Sequence, residues 1–294
     1  MAASRPIKCR AYRVLFTVII FQFISACGPV PTVKVPPTPT SHLTPTPSLT
    51  PTVTLTETPT ISPTRRPLTL VFYGDSVLKV GDVSQAPSEG FSFVDPLKQG
   101  LPPGDQVIVS NHGGRRARWA YENIDTNVLQ FQPDLVTLWW GMNDLGGCPG
   151  VFDRDTNALL PNQLSAMINE HIYYLRMQVE AVLAEDIPVF VMTPIPVMGQ
   201  LPWSHFTADN QLVWEDDHHC DFNIALEELV AAQRMLIEDY ALENKPVYLV
   251  DAWQVYKDNP NAGKMYMDVV HPASHGAELI AAEWLRVFVS IDFH

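Results

Sequence analysis

From Leu68 onward, five short apolar runs punctuate the chain: Leu68–Tyr73, Gln106–Ser110, Leu135–Trp140, Pro188–Thr193 and Pro246–Val250. Runs this short and this continuous read as strands buried on both faces. The segments between them change period. Leu164, Met167, Ile168, Ile172, Leu175, Val179, Val182 and Leu183 recur at i, i+3 and i+4, which predicts a long amphipathic helix. Phe222, Leu226, Leu229, Leu236 and Tyr240 predict a second, and Ile280, Trp284, Val287 and Phe288 a third, with Ser274 as its N-cap. Strands that alternate with helices pair in parallel through crossovers, and the crossovers cover both faces of the sheet. The prediction is therefore an α/β fold: a three-layer α/β/α sandwich around a five-stranded parallel sheet. In such sheets, chemistry collects at the carboxyl ends of the strands.

What precedes Leu68 cannot join that core. Arg5, Lys8, Arg10 and Arg13 lead into an apolar run, Val14–Phe23, too short for a comfortable membrane span. Ile24-Ser25-Ala26-Cys27 then resembles a bacterial lipoprotein lipobox. That resemblance implies a signal peptide over residues 1–27 and a lipid anchor on Cys27, which would place the protein outside the cytoplasm, on the cell membrane. Residues 28–67 are dominated by Pro, Thr and Ser, a composition that buries too little to offset its ordering entropy. They read as an extended stalk reaching roughly 120 Å at about 3.1 Å per residue. Residues 68–294 form the predicted globular domain.

Charge divides at the same place. Residues 1–66 carry seven Lys or Arg and one acid, so residues 67–294 hold 12 bases against 31 acids. A domain that acidic is a poor binder of nucleic acid or of an anionic membrane surface. Of four cysteines only Cys148 and Cys220 fall in it. In an exported protein two such cysteines can form a disulfide, but sequence gives no Cα separation with which to decide.

Polar motifs follow the strand-like runs. Gly74-Asp75-Ser76 ends the first, Asn111-His112-Gly113-Gly114 the second, and Gly141-Met142-Asn143-Asp144 the third. Asp268-Val269-Val270-His271 stands near the C-terminus. This ordered set resembles the SGNH (GDSL-type) hydrolase superfamily: a GDS serine, a glycine after the second strand, GxND after the third, and DxxH close to the end. The resemblance spans residues 68–290 and implies that family's flavodoxin-like hydrolase fold, with Ser76 as nucleophile and Ser76, Asp268 and His271 as a catalytic triad.

Elementary chemistry assigns the same roles. A serine hydroxyl needs a base to take its proton, and imidazole titrates near neutrality. Asp268, three residues before His271, can fix its tautomer and stabilise the imidazolium. Attack on an ester carbonyl then creates an oxyanion that needs preorganised donors. The family pattern implies three: the backbone N–H of Ser76, a second-block glycine N–H, and the side-chain amide of Asn143. Many relatives carry that glycine where this chain has Arg116. A loop two residues shorter makes Gly114 the better match, with Gly113 second, because Gly114–Ala120 then resembles a segment of rhamnogalacturonan acetylesterases. Gly141, Asp144 and Asp75 are expected to support the loops rather than to react.

Other polar clusters offer rival readings. Arg115, Arg116 and Arg118 are either a solvated patch or contacts for an acidic sugar or carboxylate. Trp203 and Trp214 lie in the long connection Met198–His219, where they could bind substrate. Glu215–Cys220 resembles metal-ligand chemistry, but neighbouring residues point apart and no spaced partner motif accompanies them, so a polar loop leading into a helix is expected. No metal, nucleotide or flavin cofactor is called for. The expected protein is a surface-tethered serine esterase, monomeric, acting on short acyl groups of carbohydrate. The alternatives are a lipid-acyl hydrolase or a non-catalytic surface binding protein of the same fold.

Overall fold

A computed structural model describes residues 65–78, 92–206, 212–259 and 262–291. The predicted signal peptide with Cys27, and the stalk up to residue 64, lie outside the described residues. β1 (Thr69–Gly74) is followed by α1 (Val94–Gly100) and β2 (Gln106–Asn111). Next come α2 (Ala117–Glu122), α3 (Ile124–Asn127), β3 (Leu135–Trp139), α4 (Cys148–Val151), the long α5 (Pro161–Leu183) and β4 (Val189–Met192). A hairpin of β5 (Leu201–Phe206) and β6 (Leu212–Cys220) precedes α6 (Phe222–Leu242), β7 (Val247–Val250), α7 (Ala252–Lys257) and α8 (Ser274–Phe288).

The main sheet runs β2-β1-β3-β4-β7, and every neighbouring pair is parallel. This is the predicted five-stranded sheet with helices on both faces. Alternation along β1 shows why both faces are covered. Leu70 and Phe72 turn to one side, where Phe93 and the α8 residues Trp284 and Phe288 meet them. Val71 and Tyr73 turn to the other, in one cluster with Ala117 and Ala120 of α2, Leu175 and Val179 of α5, and Tyr240 of α6. Each large apolar side chain buried this way contributes about 1.5–3 kcal/mol.

Register sets the position of the site. Gly74 lies opposite both Asn111 and Trp139, so three strands end level and their loops leave from one edge. Gly74 has to be glycine: a Cβ there would come 2.8 Å from the Trp139 carbonyl oxygen.

Two expectations are corrected. Ser274 is not the N-cap of α8 but its first residue; the extended Ala273 occupies the cap position and makes no side-chain cap. Glu215–Cys220 is not a loop but the second half of β6. Its backbone is paired antiparallel with β5, through a register shift between Pro202 and Trp203. The hairpin is seated on its own apolar cluster, in which Leu201, Trp203 and Cys220 join Leu145, Cys148, Phe222 and Leu229. Cys148 and Cys220 form a disulfide with Cα atoms 5.9 Å apart, fastening the end of β6 to α4.

Candidate active site

β1 delivers Ser76 into a turn in which Leu78 N–H donates to the Asp75 carbonyl. His271 arrives from the other end of the chain, on the segment before α8. That segment is tied down at several points: Met267 N–H donates to the His271 carbonyl, Met198 N–H to Val269, and the Tyr266 hydroxyl to Pro196 at 2.6 Å. The result is a continuous relay. Ser76 Oγ lies 3.0 Å from His271 Nε2, and His271 Nδ1 lies 2.7 Å from Asp268 Oδ2. Asp268 Oδ1 also accepts the backbone N–H groups of Val270 and His271, each at 2.8 Å. Burial works to raise the Asp268 carboxyl pKa, but those N–H groups and the imidazole outweigh it and hold the pKa below the ordinary value. A carboxylate on Nδ1 leaves the Nε2 lone pair facing the serine hydroxyl, the tautomer a general base requires.

Beneath the serine a second polar layer fixes the GxND loop. Asp75 is buried; its Oδ1 accepts Val77 N–H at 3.0 Å and its Oδ2 accepts the Asn143 side-chain N–H at 2.9 Å. One amide hydrogen of Asn143 is thereby held on Asp75. Planarity of the amide then fixes the direction of the other. Burial pushes the Asp75 carboxyl up to about 7. The Val77 N–H works against that shift, Asp144 adds to it, and Asn143 and His171 oppose it.

Asp144 Oδ1 accepts the Ala117 N–H at the start of α2 and lies 3.2 Å from His171 Nδ1. His171 Nε2 is 2.8 Å from Gln233 Nε2, and the same Gln233 nitrogen donates to the Trp140 carbonyl. Gly141 sits at φ +141°, with a would-be Cβ 2.6 Å from Pro194 and 3.1 Å from Leu229, so the loop start also has to be glycine. The supporting positions expected at Asp75, Gly141 and Asp144 are all engaged. His171 and Gln233 were not foreseen. Their signal was a polar residue inside the apolar stripe of a helix: His171 between Ile168 and Leu175, and Gln233 between Val230 and Leu236.

Ser76, Gly114, Asn143 and His271 line one cleft of about 380 Å³, closed on its far side by Leu201, Ser204 and Trp214 of the hairpin. Gly113 backs Ser76: a Cβ there would lie 3.6 Å from the Ser76 Cβ. Trp214 is half-exposed on the rim. Trp203 is not at the cleft, contrary to expectation; it is 4% exposed and packs into the core beneath the hairpin, because successive strand residues face opposite sides. Arg115 lies over Trp119 in an adjoining groove rather than beside Ser76. His218 Nε2 is 2.9 Å from the Arg154 carbonyl, and Cys220 is committed to the disulfide, so the run that resembled metal ligands is occupied with holding the hairpin.

Solved structures with this arrangement of elements exist. A GDSL-like lipase from Parabacteroides merdae superposes with a TM-score of 0.55 at 16% identity, over 76% of this chain and 96% of the other. The acetylxylan esterase Axe2 of Geobacillus stearothermophilus gives 0.51 at 18% identity, over 76% and 95%. These likenesses show a shared fold. No curated protein matches the chain. The GDSL-like Lipase/Acylhydrolase family matches residues 70–284, from the second residue of β1 into α8. Over that span lie the GDS serine, the GxND loop and the DxxH segment, and the chain belongs to the GDSL-like lipase/acylhydrolase family.

Proposed function

We propose that the domain is a serine esterase that removes short acyl groups, acetyl foremost, from carbohydrate, and that Cys27 tethers it outside the cytoplasm. The observation that carries the esterase reading is the Ser76–His271–Asp268 relay opening into a cleft that Asn143 also lines. His271 Nε2 takes the Ser76 proton as Oγ bonds to the ester carbonyl carbon. The carbonyl oxygen becomes an oxyanion, met by the Ser76 and Gly114 N–H groups and by the free amide hydrogen of Asn143. Each such donor is worth roughly 10²–10³ in rate. The C–O bond to the sugar then breaks as His271 returns the proton to the leaving oxygen. Water, activated by the same imidazole, hydrolyses the acyl-serine and releases the acid.

Carbohydrate is favoured by the half-exposed Trp214 on an open rim, since an indole face stacks on a sugar ring, and by the predicted stalk. Axe2, which shares the fold, is named for an acetylated polysaccharide. A second reading, longer acyl chains, is favoured by the apolar lining of Val77, Met142, Leu201, Phe222 and Val270. The test is a chain-length series of p-nitrophenyl esters beside acetylated oligosaccharides, with Ser76→Ala as control. Acetyl esters should be hydrolysed best and Ser76→Ala should remove at least about 10³-fold of the activity. A maximum at long acyl chains would move the assignment to lipid, and activity surviving in Ser76→Ala would end the serine mechanism.

A further inference from the structure

α5 carries two polar side chains that are almost wholly buried, His171 and Gln178, two helical turns apart on one face. Burying such groups costs stability unless they bond. Both are directed to one residue, Ala117, the first of α2. Gln178 donates to the Ala117 carbonyl at 3.0 Å. His171 reaches the other side of Ala117 through Asp144, whose Oδ1 accepts the Ala117 N–H at 3.0 Å and lies 3.2 Å from His171 Nδ1. A helix of 6 residues gains little from two buried polar supports at its first position. The loop ahead of it gains more.

That loop carries Gly114, which sits at φ +71° with nothing within 4 Å of its would-be Cβ. Packing does not hold it, so its position depends on the ties to either side. Behind it, His112 N–H donates to the Gly74 carbonyl. Ahead of it the tie is Ala117 N–H on Asp144, and Asp144 is the residue after Asn143. One carboxylate thus spans the two loops that bring Gly114 and Asn143 to the cleft. Its Oδ1 takes both contacts, and its Oδ2 has no hydrogen-bond partner among the described residues, so the His171 contact is what keeps the carboxylate from turning.

Gln233 decides which ring nitrogen of His171 carries the proton. Its Nε2 donates to the Trp140 carbonyl at 3.1 Å and lies 2.8 Å from His171 Nε2. A nitrogen that donates to a carbonyl is an amide NH₂, and against it His171 Nε2 can only accept. The imidazole proton is left on Nδ1, the side of Asp144. The Nδ1 contact is oblique, and Nδ1 has no other partner among the described residues.

We propose that His171 is a positioning residue for the oxyanion site: by holding Asp144 it sets the spacing of the Gly114 and Asn143 loops, so that donors from two strands converge on one oxygen. This rests on the esterase reading above. Two-bond ¹H–¹⁵N NMR on the full chain reads the imidazole directly, with His171→Asn identifying the signal. The proton should be on Nδ1 at neutral pH; a proton on Nε2 overturns the proposal.

His171→Leu should leave KM on p-nitrophenyl acetate within about two-fold and lower kcat roughly 10- to 100-fold per folded molecule, the folded fraction being read by urea titration. His171→Asn, whose amide nitrogen takes the place of Nδ1 and needs no partner to fix its proton, should return kcat to within about three-fold of wild type. In an Asn143→Ala background, His171→Leu should cost about half as much on a logarithmic scale, because one of the two donors it aligns is gone. Equal losses in the leucine and asparagine variants, a change confined to KM, or fully additive losses overturn the proposal. If His171→Leu does not fold, the wild-type tautomer and the kcat of His171→Asn decide it. Should the wild type hydrolyse no ester, the esterase reading falls instead. The backbone amide shifts of Gly114 and Ala117 then read the positioning without chemistry: they should move in His171→Leu and return in His171→Asn, and unmoved shifts overturn it.

Discussion

Replacing Asp75 with asparagine should make the protein more resistant to rising pH and at the same time a worse catalyst. The wild-type carboxyl is buried and pushed up from 3.8 to about 7. Between those values the folded protein holds a proton that the unfolded chain has released, so stability falls as pH rises through this window and levels off above it. At about 1.4 kcal/mol per unit, a shift of this size corresponds to a loss of about 4 kcal/mol between pH 4 and pH 8.

Asparagine cannot ionise, so the stability difference between variant and wild type should move in the variant's favour by up to that amount. All other titrating groups are common to both proteins and largely cancel. The substitution keeps an acceptor for Val77 N–H but turns an NH₂ toward the NH₂ of Asn143, deleting the bond that orients it. Measured from the protonated wild type, that loss is about 0.5–1.5 kcal/mol and sets a pH-independent offset, because the charge-dependent part of the bond is already contained in the shifted pKa. With Asn143 misdirected, kcat on p-nitrophenyl acetate should fall roughly 10- to 100-fold. Urea titrations of both proteins from pH 4 to pH 8, with kcat measured at pH 8, read the two effects separately. Parallel stability profiles would refute the buried-carboxylate argument, and an undiminished kcat would refute the role given to Asn143.

Two further outcomes are expected. Cys148 and Cys220 are 72 positions apart, a closure worth about 4 kcal/mol at most in the chain-entropy view, so Cys148→Ser/Cys220→Ser should lower the urea midpoint. The double variant should also lose more activity on oligosaccharide than on p-nitrophenyl acetate, because the hairpin carries Trp214; an unchanged midpoint would show that the hairpin needs no fastening. If Cys27 carries lipid, the full chain should sediment with membranes and Cys27→Ala should not, whereas equal sedimentation of both would remove the anchor.

The strands β1 to β4 and β7 were legible because strands buried on both faces read as unbroken apolar runs, and the motifs were legible because each follows such a strand. Ser76, Asp268 and His271 then needed only the sheet to bring them together. The β5–β6 hairpin was not legible. Its polar run from Glu215 to His219 is extended only because Leu201–Phe206 pairs with it, and a pairing partner with a register shift leaves no local trace. Trp203 and Trp214 looked alike in sequence and face opposite sides in the structure, a distinction fixed by strand alternation that a loop reading discards. The Asp144–His171–Gln233 layer joins three distant segments, and only packing of α5 against α6 reveals it. Cys148 and Cys220 were undecided until their Cα separation was known.

The hydrogen bond between Ser76 and His271 spans 195 positions, from the first strand of the domain to the segment before its last helix. No early portion of the chain holds both halves of the relay. On the proposed mechanism a polypeptide still being synthesised would therefore be chemically silent, and so would any fragment cut between the two. On the proposed esterase reading, hydrolysis would switch on only when the two ends of the domain have found each other, and the rate of ester cleavage would gauge how much of the population has brought them together.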